Sequence, residues 1–109
     1  MATKSNLTID QGSNYSITVD LTTANGSAMD LAGYTGRGQM RKSPSSSTAK
    51  DFTVSVANTG TVTLSMTSDY TSNITSGRWL YDVEVISSSD VVTRVLEGIV
   101  TVTPEITRS

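Results

Sequence analysis

The chain contains no cysteine and no histidine. Those two absences remove zinc fingers, disulfide scaffolds, catalytic cysteines and any histidine base at once. They also leave no Ser-His or Cys-His nucleophile pair. No apolar run approaches the ~20 residues that a membrane-spanning helix needs. The opening Met1-Ala2-Thr3-Lys4-Ser5-Asn6 lacks the apolar centre of a secretion signal, and a chain free of cysteine fits synthesis in a reducing cytoplasm. Charge is sparse as well: 17% of residues are charged and the net charge is -2, so no bulk attraction draws the chain to nucleic acid or to an anionic membrane.

What is abundant is Ser and Thr, together about a third of the chain. Thr alternates with Val and Ile, which suits the exposed faces of strands better than disorder. At 109 residues the chain is long enough for one core and not for two, so residues 1–109 are read as a single domain.

The clearest pattern lies between Gly77 and Thr103. Trp79, Tyr81, Val83 and Val85 recur at every second residue, which places them on one side of a strand, with Asp82 and Glu84 on the other. After the polar Ser87-Ser88-Ser89-Asp90 turn, Val92, Leu96, Gly98, Val100 and Val102 keep one parity, interrupted by Arg94. Two such runs around a short turn predict a β-hairpin, with the single Trp as the anchor of the core.

Further strands are predicted at Leu7–Asp10, Tyr15–Leu21, Arg37–Arg41, Phe52–Val56 and Val62–Met66. Asn25-Gly26 and Asn58-Thr59-Gly60 mark tight turns. Ser43–Thr48 reads as a loop, and Pro104 ends pairing for want of a donor. Thr67–Ile74 predicts one helical turn with Thr67 or Ser68 as its N-cap. About seven strands with turns between them, and no sustained helical period, predict an all-β fold: an immunoglobulin-like antiparallel β-sandwich, with a small barrel as the other packing. The small residues Gly36 and Gly38 leave room for a bulky side chain opposite, and Trp79 is the expected occupant.

The candidate sites are few. Asp82 and Glu84 share an alternating outer face, so they read as solvated or salt-bridged rather than as an acid–base pair. Gly33, Gly36 and Gly38 have a spacing reminiscent of phosphate loops, but a strand pattern runs through them where such loops need a following helix. The four Asn-x-Ser/Thr sequences, at Asn6, Asn14, Asn25 and Asn73, arise readily in a chain so rich in Ser and Thr. Arg37, Arg41 and Lys42 form the one basic cluster, too small for strong counterion release on DNA. Arg37, Gln39 and Arg41 share outward parity with one another, as Asp82 and Glu84 do on a neighbouring strand. Cross-strand pairing of these charges is therefore expected, and this face is the candidate interaction surface. No catalytic residue, metal site or cofactor is expected.

The order of the motifs carries a resemblance. Ile9-Asp10-Gln11-Gly12 precedes Tyr15-Ser16-Ile17-Thr18-Val19, and Asp30-Leu31-Ala32-Gly33-Tyr34-Thr35 follows the Asn25-Gly26 turn. Gly60-Thr61-Val62-Thr63-Leu64 then precedes Gly77-Arg78-Trp79-Leu80-Tyr81-Asp82-Val83-Glu84. From about Leu7 to Pro104, this order is similar to the amino-terminal immunoglobulin-like domain of phage upper-baseplate proteins. It also resembles small virion proteins of tailed phages that infect marine cyanobacteria. The resemblance implies a non-enzymatic structural protein of a phage particle, made in the host cytoplasm and located in the tail, neck or baseplate. It would contact other virion proteins, in multiple copies within a symmetric assembly, and bind neither nucleic acid nor membrane. A capsid decoration (cement) protein is the alternative within that class. A surface carbohydrate-binding module is the alternative outside it, and it would need Trp79 and the tyrosines on an exposed strip. The end segments Ala2–Asn6 and Glu105–Ser109 are expected to join the outer face as attachment points.

Overall fold

The predicted hairpin forms the longest pairing in the molecule. In the computed structural model, which describes residues 3–22, 26–27 and 29–106, β7 (Gly77–Ile86) runs antiparallel to β8 (Val92–Thr103), from Gly77 opposite Val102 to Ile86 opposite Val92. Ahead of it come β1 (Thr3–Lys4), β2 (Leu7–Asp10), β3 (Tyr15–Asp20), β4 (Thr35–Arg41), β5 (Lys50–Val56) and β6 (Thr61–Met66). One helical turn, α1 (Ser68–Thr71), separates β6 from β7, and Thr67 caps it by accepting from the Tyr70 backbone N–H.

These strands make an immunoglobulin-like β-sandwich. One sheet runs β4–β7–β8 and is completed at its far edge by β1 and β2; the other runs β5–β6–β3. β5 joins the two layers, because Lys50–Phe52 pair with β4 whereas Thr53–Val56 pair with β6. Among the described residues the hydrogen-bonded path has two ends and does not close on itself. One pairing departs from the expected antiparallel pattern. β1 and β2 lie parallel to β8, with Leu7 opposite Val100 and Asp10 opposite Thr103. A parallel neighbour needs a long crossover, and here nearly the whole chain supplies it.

The core sits between the sheets. Ile9, Met40, Val62, Leu64, Ile74, Val83 and Val100 are fully buried, and Trp79 is 3% exposed. Trp79 anchors the core as expected, with Nε1 donating to the Thr75 carbonyl at 2.9 Å. Its position differs from the expectation. Gly36 and Gly38 lie opposite Val85 and Val83, whereas Trp79 lies beyond the Leu80–Arg41 pair, at the other end of β7. Four residues of strand separate Trp79 from Val83, ~13 Å. The room at the glycines is taken by β5 instead. A Cβ at Gly36 would stand 2.5 Å from a Val54 methyl carbon, and one at Gly38 would stand 3.2 Å from a Val83 methyl carbon and 3.4 Å from the Phe52 ring. Trp79 has Lys42 Nζ over its ring at 5.1 Å. Gly33 lies outside the strand, in the preceding turn, with φ of 79°.

The interruption by Arg94 also has a structural cause. A bulge shifts the register between Val83–Leu96 and Glu84–Arg94, so that Val95 and Leu96 are both buried. Before the bulge, Arg94 belongs to the outer face and Val92 is 47% exposed rather than part of the core stripe.

The amino-terminal segment is built into the sheet through one side of its strands. Ser5 N–H donates to the Glu97 carbonyl, and the Ser5 carbonyl accepts from Tyr81 Oη at 2.6 Å. Gly98, opposite Tyr81, makes this crossing possible, because a Cβ there would strike the Ser5 carbonyl. At the far end of β2, Gln11 donates to the Ile74 carbonyl and accepts from Glu105 N–H. Buried Thr71 accepts from Gly12 N–H and donates to the Ser13 carbonyl. Ala2 and residues 107–109 of the expected attachment segments lie outside the described residues, as does Asn25 of the Asn25-Gly26 turn.

Two core tyrosines titrate late. Burial, and then the nearby Tyr81 hydroxyl, pushes Tyr15 up to about 12. Burial raises Tyr81 as well.

Candidate interaction face

Alternation along β4, β7 and β8 places one polar residue after another on the outer side of their sheet. The five residues singled out in the sequence, Arg37, Gln39, Arg41, Asp82 and Glu84, all line this face, with Arg37 opposite Glu84 and Gln39 opposite Asp82. Arg37 Nε meets Glu84 Oε1 at 2.7 Å, a cross-strand pair of the kind the pattern predicted. Arg41 pairs with neither Asp82 nor Glu84. Arg41 donates to the Ser46 carbonyl and to Gln39 Oε1, and Gln39 in turn donates to Asp51 of β5. Asp82 is held by Arg94 at 3.4 Å, and Arg94 also reaches Glu97 at 3.3 Å.

The result is three separate sets of polar contacts spread over four strands: Asp51–Gln39–Arg41, Arg37–Glu84 and Asp82–Arg94–Glu97. With Arg37 side chain 62% exposed and Arg94 54% exposed, these pairs add little stability, each ~0–1 kcal/mol. Their effect is to hold long side chains in fixed positions.

The face is concave. A groove of about 800 Å³ runs over it, walled by Pro44 on one side and by Lys4 and Asn6 on the other. Its lining also includes Leu80 and Ile99, which are paired across β7 and β8 and half-buried. An apolar end therefore adjoins a network that carries both signs of charge. No group of three or more carboxylates suited to a metal ion occurs among the described residues.

Several of these residues escape sequence reasoning. Arg94 was legible as an anomaly in an apolar stripe, since a lone charge there signals either a bulge or a buried site. Leu80 and Ile99 have outward parity on β7 and β8 and could have been marked as an apolar pair. Asp51 and Glu97 carry no signal of their own, because only the strand register brings them to the face. Trp79 and Tyr81 are buried, so the exposed aromatic strip that a carbohydrate platform needs is not built from them.

No protein-family model matches the chain, and neither does any curated protein. Among solved structures the chain is similar to the Listeria monocytogenes internalin-like protein lmo2027, with a TM-score of 0.50 and 18% identity. The match covers 94% of this chain and 28% of that one, so this chain spans less than a third of its length. Likeness at that identity concerns the fold alone.

Proposed function

We propose that the chain is a non-catalytic structural module of a tailed phage particle, working by protein–protein contact through the outer face of β4, β7 and β8. The observation that carries the contact reading is the groove: about 800 Å³, with fixed charges of both signs beside the apolar Leu80–Ile99 pair. Interfaces of this kind combine a desolvated apolar patch with a polar rim that sets partner and orientation. The particle context rests on the order of motifs between Leu7 and Pro104.

Charge reversal at two exposed arginines tests it. Arg37→Glu with Arg94→Glu should leave the circular dichroism spectrum unchanged, because neither guanidinium enters the core. The same variant should lower the copies per purified phage particle about tenfold, as counted by quantitative mass spectrometry, since like charges would now meet the partner. Occupancy equal to wild type would overturn the assignment of this face. Absence of the wild-type chain from a map of the intact particle would overturn the virion reading itself.

A further inference from the structure

The two sheets treat their edges differently. The first sheet ends in the short strands β1 and β2, of two and four residues, which lie along Leu96–Thr103 of β8, and the start of β8 beyond them carries a bulge and Arg94; short edge strands are themselves hard to extend. Bulges and charged side chains are the usual protection of an open edge. The other sheet begins at the half of β5 that bends away between the layers and ends at β3. β3 pairs with β6 along its whole length, Tyr15 opposite Met66 through Asp20 opposite Thr61, without a break in register. Among the described residues no strand pairs with its other side.

That free side is an unprotected edge. It has no proline, no lysine, no glycine and no bulge, and its one charge is Asp20 at the end. Leu21 N–H donates to the Gly60 carbonyl, which fixes the alternation of backbone groups along the strand. Odd-numbered residues face β6, so Ser16, Thr18 and Asp20 present their N–H and C=O groups outward. The inward side chains are also incompletely covered. Tyr15, Ile17 and Val19 are half-buried, whereas Val62, Leu64 and Met66 on β6 are buried. One more strand beside β3 would satisfy the edge and finish the cover.

We propose that this strand is β3 of a second copy, joined antiparallel about a two-fold axis at Thr18, so that two β5–β6–β3 sheets become one continuous sheet. The chemistry of Ser16-Ile17-Thr18-Val19-Asp20 reads alike in both directions: polar, apolar, Thr, apolar, polar. With Thr18 opposite its own copy, Ile17 lies opposite Val19 on the core side and Ser16 opposite Asp20 on the outer side. Each Asp20 carboxylate then faces a serine hydroxyl that can donate to it. The two Asp20 residues sit at opposite ends, separated by four residues of strand, ~14 Å, beyond the screening length at physiological salt. An isologous contact demands this self-complementarity. It lies on the sheet opposite the groove, so it stands or falls independently of the proposed function.

The contact is small, so a weak dimer is expected, visible by sedimentation velocity of the full chain as its concentration rises to about 1 mM. Thr18→Lys puts two ammonium groups face to face and should weaken the dimer about tenfold or more. Cysteine pairing locates the axis, because the chain has no other thiol. Directly opposed residues at such a site have Cα atoms ~5.5 Å apart, within disulfide range. Under mild oxidation Thr18→Cys should therefore give a covalent dimer. Thr63→Cys is the control: Thr63 is the β6 neighbour of Thr18, on the same outer side, and would lie too far from its copy. A covalent dimer from Thr18→Cys alone, at the concentration where wild type associates, supports the proposal. A wild type that stays monomeric throughout overturns it, as does a Thr18→Lys dimer of unchanged strength or equal crosslinking at Thr18 and Thr63.

Discussion

The two faces of β7 alternate within one ten-residue strand and are put to different uses. Inward, Trp79, Tyr81, Val83 and Val85 are each at most 5% exposed and close the core against β4, β5 and β8. Outward, Leu80, Asp82 and Glu84 are half-buried in a groove whose charges are paired side to side. Removing water from apolar area supplies the stability on the first face. On the second, exposed pairs contribute little energy but fix where charges stand. A strand organised in this way can change its outer residues, and so its partners, without loss of the fold.

The comparison is sharpest where the inner face is truncated. Trp79→Ala should lower unfolding free energy by ~3–5 kcal/mol, the range for a large aromatic lost from a core, read from urea denaturation. A loss below ~1 kcal/mol would mean that Trp79 is not an anchor. Next is the opposite error, a methyl group added to the inner face. Gly36→Ala sets a Cβ against Val54 and Val56, at 2.5 and 2.9 Å in the present packing. Overpacking of this kind costs ~1–3 kcal/mol, and an unchanged melting curve would show that β5 yields freely.

Packing against the core from the other sheet, Tyr15 of β3 should also make stability sensitive to alkali. Tyr15, at about 12 when folded, holds its proton more tightly than an unfolded tyrosine at 10.0. The folded state thus binds more protons once pH exceeds 10, and the stability from this group declines as pH rises toward 12. The urea midpoint should be level from pH 7 to 9 and fall above 10. Tyr15→Phe should lessen that fall, and an identical fall in the variant would assign it elsewhere. The smallest effect belongs to the outer face. A double-mutant cycle on Arg37 and Glu84 should give ~0.2–1 kcal/mol of coupling, shrinking in high salt. Coupling above ~2 kcal/mol would erase the contrast between the faces.

Period-two alternation is a property of the chain over a few residues, set by the pleat, and it needs no knowledge of neighbours. That is why the strands, the inward stripe of Trp79 to Val85 and the outward charges of β4 and β7 were legible from residue order. Which strand lies beside which is decided by contacts distant in sequence, and no local pattern encodes them. Tertiary structure alone therefore laid β1 and β2 parallel to β8, set Gly36 beneath Val54 rather than Trp79, and gave Asp82 to Arg94. The bulge at Val95 shows both levels acting on one residue. Arg94 broke the alternation in the sequence, but only pairing with β7 could decide whether the charge was buried or the register shifted. The register shifted, because an unpaired guanidinium inside an apolar core costs far more than one unpaired residue at the edge of a sheet.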